Sequence, residues 1–109
     1  MVTLIAVKIP DELLNQVAAD LHGYIKVVVD IEKQILTAGG TRHVEGEQLL
    51  LQNGSLQENV WGGGLDLETN EIDYDSMINI RPSQNNPSRE VLSPEVRNQM
   101  EKIIRNLLH

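Results

Sequence analysis

The chain has 109 residues, no cysteine, and a formal net charge of −7 from 16 acidic and 9 basic side chains. That length suits one domain, taken as residues 1–109, which can bury a core without staples. The missing cysteines exclude disulfides, thiolate metal sites and cysteine nucleophiles. The acidity argues against nucleic acid or an anionic membrane surface as a partner.

Aromatic residues are 3% of the chain and Phe is absent, so the core must be aliphatic. Leu4 to Ile9 suits a short edge strand. Pro10 opens a helix, Asp11 and Glu12 complement its dipole, and Leu13, Leu14, Val17 and Leu21 share one face. His22-Gly23 is its stop. Ile25 to Ile31 is β-branched and reads as a strand, with Gln34 to Ala38 returning after a turn at Glu32-Lys33. His43 to Leu51 reads as a strand because Asn53-Gly54 follows it, a hairpin signal. Leu56 to Trp61 is then the returning strand, ended by Gly62-Gly63-Gly64.

Glu71 to Arg81 alternates, with Ile72, Tyr74, Ser76, Ile78 and Ile80 on one side, and predicts a half-buried strand that Pro82 ends. Pro82 to Val91 is a polar loop. The last helix is signalled by Ser93 as N-cap, Pro94 at the first position, and an apolar stripe of Val96, Met100, Ile103, Ile104, Leu107 and Leu108. These elements predict an α+β fold. It is an antiparallel sheet of four to six strands, with the N- and C-terminal helices packed on one face and the other face acidic and open.

Several pieces resemble a family of short prokaryotic proteins known as a domain of unknown function. They are Val29 to Lys33, Gly39-Gly40 with His43, Asn53-Gly54-Ser55 with Gln57, Trp61-Gly62, and the run Asp75-Ser76-Met77-Ile78-Asn79-Ile80-Arg81-Pro82-Ser83-Gln84. The resemblance implies membership and carries no activity.

The catalytic signatures for nucleotide, dinucleotide and serine-hydrolase chemistry are absent. On a strand, His43, Glu45 and Glu47 would share a face and could hold a divalent metal, completed by Asp30 or Asp75. That set would serve a small metal-dependent hydrolase; a solvated acidic face is the plainer reading. Asp73 and Asp75 would raise each other's pKa if buried together. Asn79, Arg81, Ser83 and Gln84, with Arg89 flanking the loop and Asp75 and Trp61 nearby, could bind a small anionic or polar ligand or a protein partner. The same groups could instead cap strand ends, and Trp61 could simply fill the core. With no catalytic constellation above background, we expect a non-catalytic binding or regulatory module. We also expect it to be homo-oligomeric. No bilayer-length apolar run and no leader-like N-terminus are present, so it is expected in the cytoplasm.

Overall fold

A computed structural model describes residues 1–108. The strands are β1 (Val2–Ile5), β2 (Tyr24–Asp30), β3 (Ile35–Gly39), β4 (Val60–Asp66) and β5 (Glu71–Asp73). The helices are α1 (Asp11–Ala18), α2 (His43–Gln52) and α3 (Pro94–Leu107). The strands form one sheet in the order β1-β3-β2-β4-β5, antiparallel throughout.

The expected α+β architecture is present, with α1 and α3 on the same face. Ile25, Val27 and Val29 of β2 alternate toward that face and join Leu36, Ala38, Trp61 and Leu65. Val17 of α1 and Met100, Ile103, Ile104 and Leu107 of α3 close over them. Each such side chain contributes about 1.5–3 kcal/mol on full burial. Ser93 caps α3 by accepting from the Val96 amide at 3.3 Å. The Ile9 amide donates to the Leu107 carbonyl at 2.8 Å, tying the segment that leads into α1 to the end of α3.

Two hairpins use the same turn chemistry. The Asp30 carboxylate accepts from the Glu32 and Lys33 amides at 2.9 Å, and Gln34 takes a left-handed φ of 58°. Asp66 accepts likewise from Glu68 and Thr69, and Asn70 takes φ 64°. In each case the carboxylate mimics a backbone acceptor and fixes the register.

Six expectations are corrected. The first strand is Val2–Ile5, not Leu4 to Ile9. His43 to Leu51 is helix, not strand. Glu45 accepts from the Thr41 and Arg42 amides at 3.1 Å and so caps the first turn. Asn53-Gly54 ends that helix instead of turning a hairpin: Gly54, at φ 94°, donates to the Leu51 carbonyl. The triple glycine does not end a strand but runs inside β4. A Cβ at Gly64 would lie 1.8 Å from the Tyr24 hydroxyl, and one at Gly63 would lie 2.4 Å from the Asp73 carbonyl oxygen.

Only Glu71–Asp73 of the predicted eleven-residue strand is strand. Asp73 accepts from the Asp75 amide and Ser76 from the Ile78 amide, so local side-chain acceptors draw the backbone off the ladder. The second sheet face is not open. Leu50 of α2 packs on Val28 and Val60, with Leu4, Ile35 and Ile78 around them.

Gly46 lets α2 sit this close, since a Cβ there would lie 2.3 Å from Thr37 Oγ1 and 2.9 Å from Val28 Cγ2. Gly→Ala inside a helix ordinarily gains about 1 kcal/mol. Overpacking a filled core costs about 1–3 kcal/mol, and Thr37 and Val28 are both buried. Gly46→Ala is therefore expected to lower stability by about 1 kcal/mol in urea unfolding. A gain would show that α2 stands off the sheet.

Candidate functional site

Beyond its pairing with β5, the outer edge of β4 is completed by a side chain. Asn79 accepts from the Gly62 amide at 2.8 Å and donates to the Gly62 carbonyl at 2.9 Å, so its carboxamide stands in for a neighbouring peptide group. The same nitrogen reaches the carbonyls of Tyr74 and Arg89, and the residue is fully buried. Asn86 does similar service: it donates to the carbonyls of Asn79, Ser88 and Glu90 and accepts from the Leu92 amide. Ser76 and Val91 pair with Arg89 and Tyr74 to close the neck of the loop.

Arg81 locks this loop to the sheet. Its guanidinium donates to the carbonyls of Ile78, Gln57 and Val60 and stacks 4.3 Å from the Trp61 ring centroid. Burial draws its pKa down, but a guanidinium stays charged in proteins. Gln84 accepts from Arg81 and donates to the Glu58 carbonyl.

The loop, with the first turn of α2, walls a cleft of about 530 Å³. Tyr24 and Lys26 come from β2, Arg42, His43 and Val44 from the start of α2, and Asp73, Asp75 to Ile78, Arg89 and Glu90 from the loop. The Tyr24 hydroxyl donates to Asp73 at 2.5 Å. Burial and the Asp73 carboxylate together push the Tyr24 pKa far above the ordinary tyrosine range, so it remains a donor. His43 Nε2 lies 2.7 Å from the Gly63 carbonyl. A carbonyl only accepts, so Nε2 carries a proton and a neutral ring leaves Nδ1 bare. Burial lowers the His43 pKa, partly offset by that hydrogen bond. Asp75 pairs with Arg89 at 3.1 Å, and Glu90 with Arg97 at 3.3 Å.

The nine residues singled out from sequence therefore separate. Asp75 and His43 line the cleft. Asn79 and Arg81 hold the loop from inside. Trp61 and Gln84 border a second hollow of about 520 Å³ with Asn85, Asn86 and Leu92. Trp61 is 5% exposed and packs in the core, and its Nε1 has no partner among the described residues. Ser83 is exposed.

The proposed metal set is undone by the helix. At 100° per residue, Glu45 lies about 200° around α2 from His43, and its carboxylate is occupied by the Thr41 and Arg42 amides. Glu47 is buried with one oxygen unpartnered. Among the described residues no group of three or more His, Asp or Glu side chains could hold a metal ion. Arg89, read from sequence as flanking the ligand loop, lines the cleft, whereas Tyr24, Lys26 and Arg42 were not singled out from sequence. Only Lys26 carries a legible signal, as the one charge inside the run Ile25 to Val29.

Two outcomes follow. Asn79→Asp keeps shape but turns a donor toward three carbonyls into an acceptor, which is expected to cost about 3 kcal/mol or more. A carboxyl facing carbonyls has its folded pKa raised, so the loss deepens as pH rises above about 4. Urea unfolding at pH 4 and pH 8 checks both size and sign. For His43, whose folded pKa is lowered, the unfolded state takes up the proton first. Its contribution to stability is thus lost as pH falls below about 6.5. NMR titration of the His43 ring should give a midpoint below that value.

No helix of the described residues is long and apolar enough to cross a membrane. No curated protein and no solved structure matches the chain. One family model does, over residues 3–107, and so covers nearly its whole length. The chain belongs to that family, a protein of unknown function designated DUF5674.

Proposed function

We propose that this protein is a small non-catalytic binding or regulatory module of the cytoplasm, and that its ligand site is the cleft beside the first turn of α2. The supporting observation is convergence. Polar side chains from β2, α2, the 73–78 segment and the 89–90 segment meet around one hollow of about 530 Å³. Small-ligand sites are commonly concave and largely pre-formed, with a few placed polar groups. Here the loop wall is pre-formed because Asn79, Asn86 and Arg81 spend their hydrogen bonds inside the protein. Those residues act as the frame, and Tyr24, Lys26, His43, Asp73 and Asp75 face the ligand.

The reading includes self-association. Leu56, Met77, Ile80 and Leu92 are all more than 40% exposed, as are Met1 and Val7 at the other end of the chain. The metal-dependent hydrolase reading has no ligand set to support it among the described residues.

A fragment screen by two-dimensional NMR on the ¹⁵N-labelled protein tests the site. Hits are expected to shift amides of Lys26, His43, Val44 and Asp75 together. Val44→Trp, which fills the mouth of the cleft, should abolish those shifts without lowering the melting temperature by more than a few degrees. Hits confined to other surfaces would refute the assignment. Light scattering on the eluting protein reads the oligomer, and a monomer at high concentration removes that part.

A further inference from the structure

Resting on the cleft as the ligand site, we infer that its ligand is a small molecule carrying an oxyanion group, a carboxylate or a phosphate, held by Lys26 and Arg42. The inference comes from which charges in the cleft are already answered. Asp73 receives the Tyr24 hydroxyl on one oxygen and the Asp75 amide on the other. Asp75 is bridged by both sides of the Arg89 guanidinium. Glu90 is paired with Arg97. The acids of the lining are thus satisfied by the protein itself. Lys26 and Arg42 are not: among the described residues neither side chain makes a salt bridge or a hydrogen bond. Both line the same cleft.

A lysine offers three donors and an arginine five, with no acceptor between them. What remains unanswered in the cleft is therefore donor capacity, and its two unpaired cations outnumber Asp73, the one lining carboxylate whose partners are neutral donors. The amides of His43 and Val44, at the start of α2, also lack acceptors and add in the same direction. Lys26 comes from β2 and is half-buried, and the exposed Arg42 precedes α2, so the two cations reach the cleft from different elements. An arginine fork matches the two oxygens of a carboxylate or phosphate, and a lysine adds a point charge.

The overall charge of −7 opposes anions at long range. The Debye length at physiological ionic strength is about 8 Å, however, so distant exposed acids are largely screened and the local donors decide. The neutral form of His43 leaves Nδ1 free to accept from a hydroxyl on the same ligand.

The test uses the full chain and two probes, sodium phosphate and sodium acetate, at ionic strength held constant with sodium chloride. The amides of His43 and Val44 are followed by NMR. Saturable shifts with phosphate, acetate or both are expected, at millimolar midpoints. The more effective probe identifies the oxyanion as phosphate or carboxylate. Lys26→Met, which keeps the apolar stem, combined with Arg42→Gln, should weaken binding at least tenfold. If the double variant unfolds, Arg42→Gln alone is expected to weaken it several-fold, because Arg42 is exposed and its removal leaves the core intact. Shifts that are non-saturable, or unchanged by the substitutions, would overturn the inference. Saturable binding of methylammonium near Asp73 and Asp75, with no response to either anion, would overturn it while leaving the cleft itself as the site.

Discussion

An unpaired strand edge is the constraint from which the rest of this structure follows. β5 covers only the end of β4, from Gly64 to Asp66. At Gly62 the backbone would face outward with its donor and acceptor unmet, and buried peptide groups left so lose about 1–3 kcal/mol each. The carboxamide of Asn79 meets both. To place that one side chain, residues 74–91 must leave the ladder, cross the end of the sheet and return. Asn86 and the short pairing at Asp75 and Glu90 hold the loop in that path.

The glycines of β4 belong to the same solution. A Cβ at Gly62 would lie 2.7 Å from the Ser76 Cβ, so the loop could not close down on the strand if Gly62 carried a side chain. A Cβ at Gly64 would occupy the position of the Tyr24 hydroxyl, which is held there by Asp73. A strand weakened in itself by glycine is thereby covered closely from the side. Buried Arg81 then fastens the loop to the sheet, with donors to three carbonyls and its flat face on Trp61. The cleft is what this arrangement leaves between the loop and α2. Its lining comes from β2, the start of α2 and the loop, and among the described residues Lys26 and Arg42 are its cations without an ion-pair partner.

Several residues read as ligand contacts from sequence make their hydrogen bonds within the protein. Asn79, Arg81 and Gln84 have the chemistry of a binding loop, and they spend it on carbonyl oxygens of their own chain. A polar side chain in a loop has two possible customers, the solvent side and the backbone. Sequence does not say which, because the acceptors for Asn79 lie 5 to 17 positions away and come near only when the chain is folded.

The sequence by itself determined the elements whose signals are local and unopposed. Ser93-Pro94 and a stripe at helical spacing mark α3; β-branched Ile25 to Val29 marks β2; the −7 charge and missing cysteines bound the chemistry. Tertiary structure decided the elements whose local signals conflict. Leu49-Leu50-Leu51 followed by Asn53-Gly54 serves a hairpin or a helix end equally well. Burial of Leu50 on Val28 and Val60, with Gly46 against Thr37, selects the helix. The alternation from Glu71 to Arg81 serves a strand until Asp73, Ser76 and Asn79 find backbone partners. The cleft was therefore not legible. Tyr24 and Lys26 of β2, Arg42 before α2 and Arg89 in the loop lie in three separate segments, and only the packing of α2 and the loop onto the second sheet face brings them together.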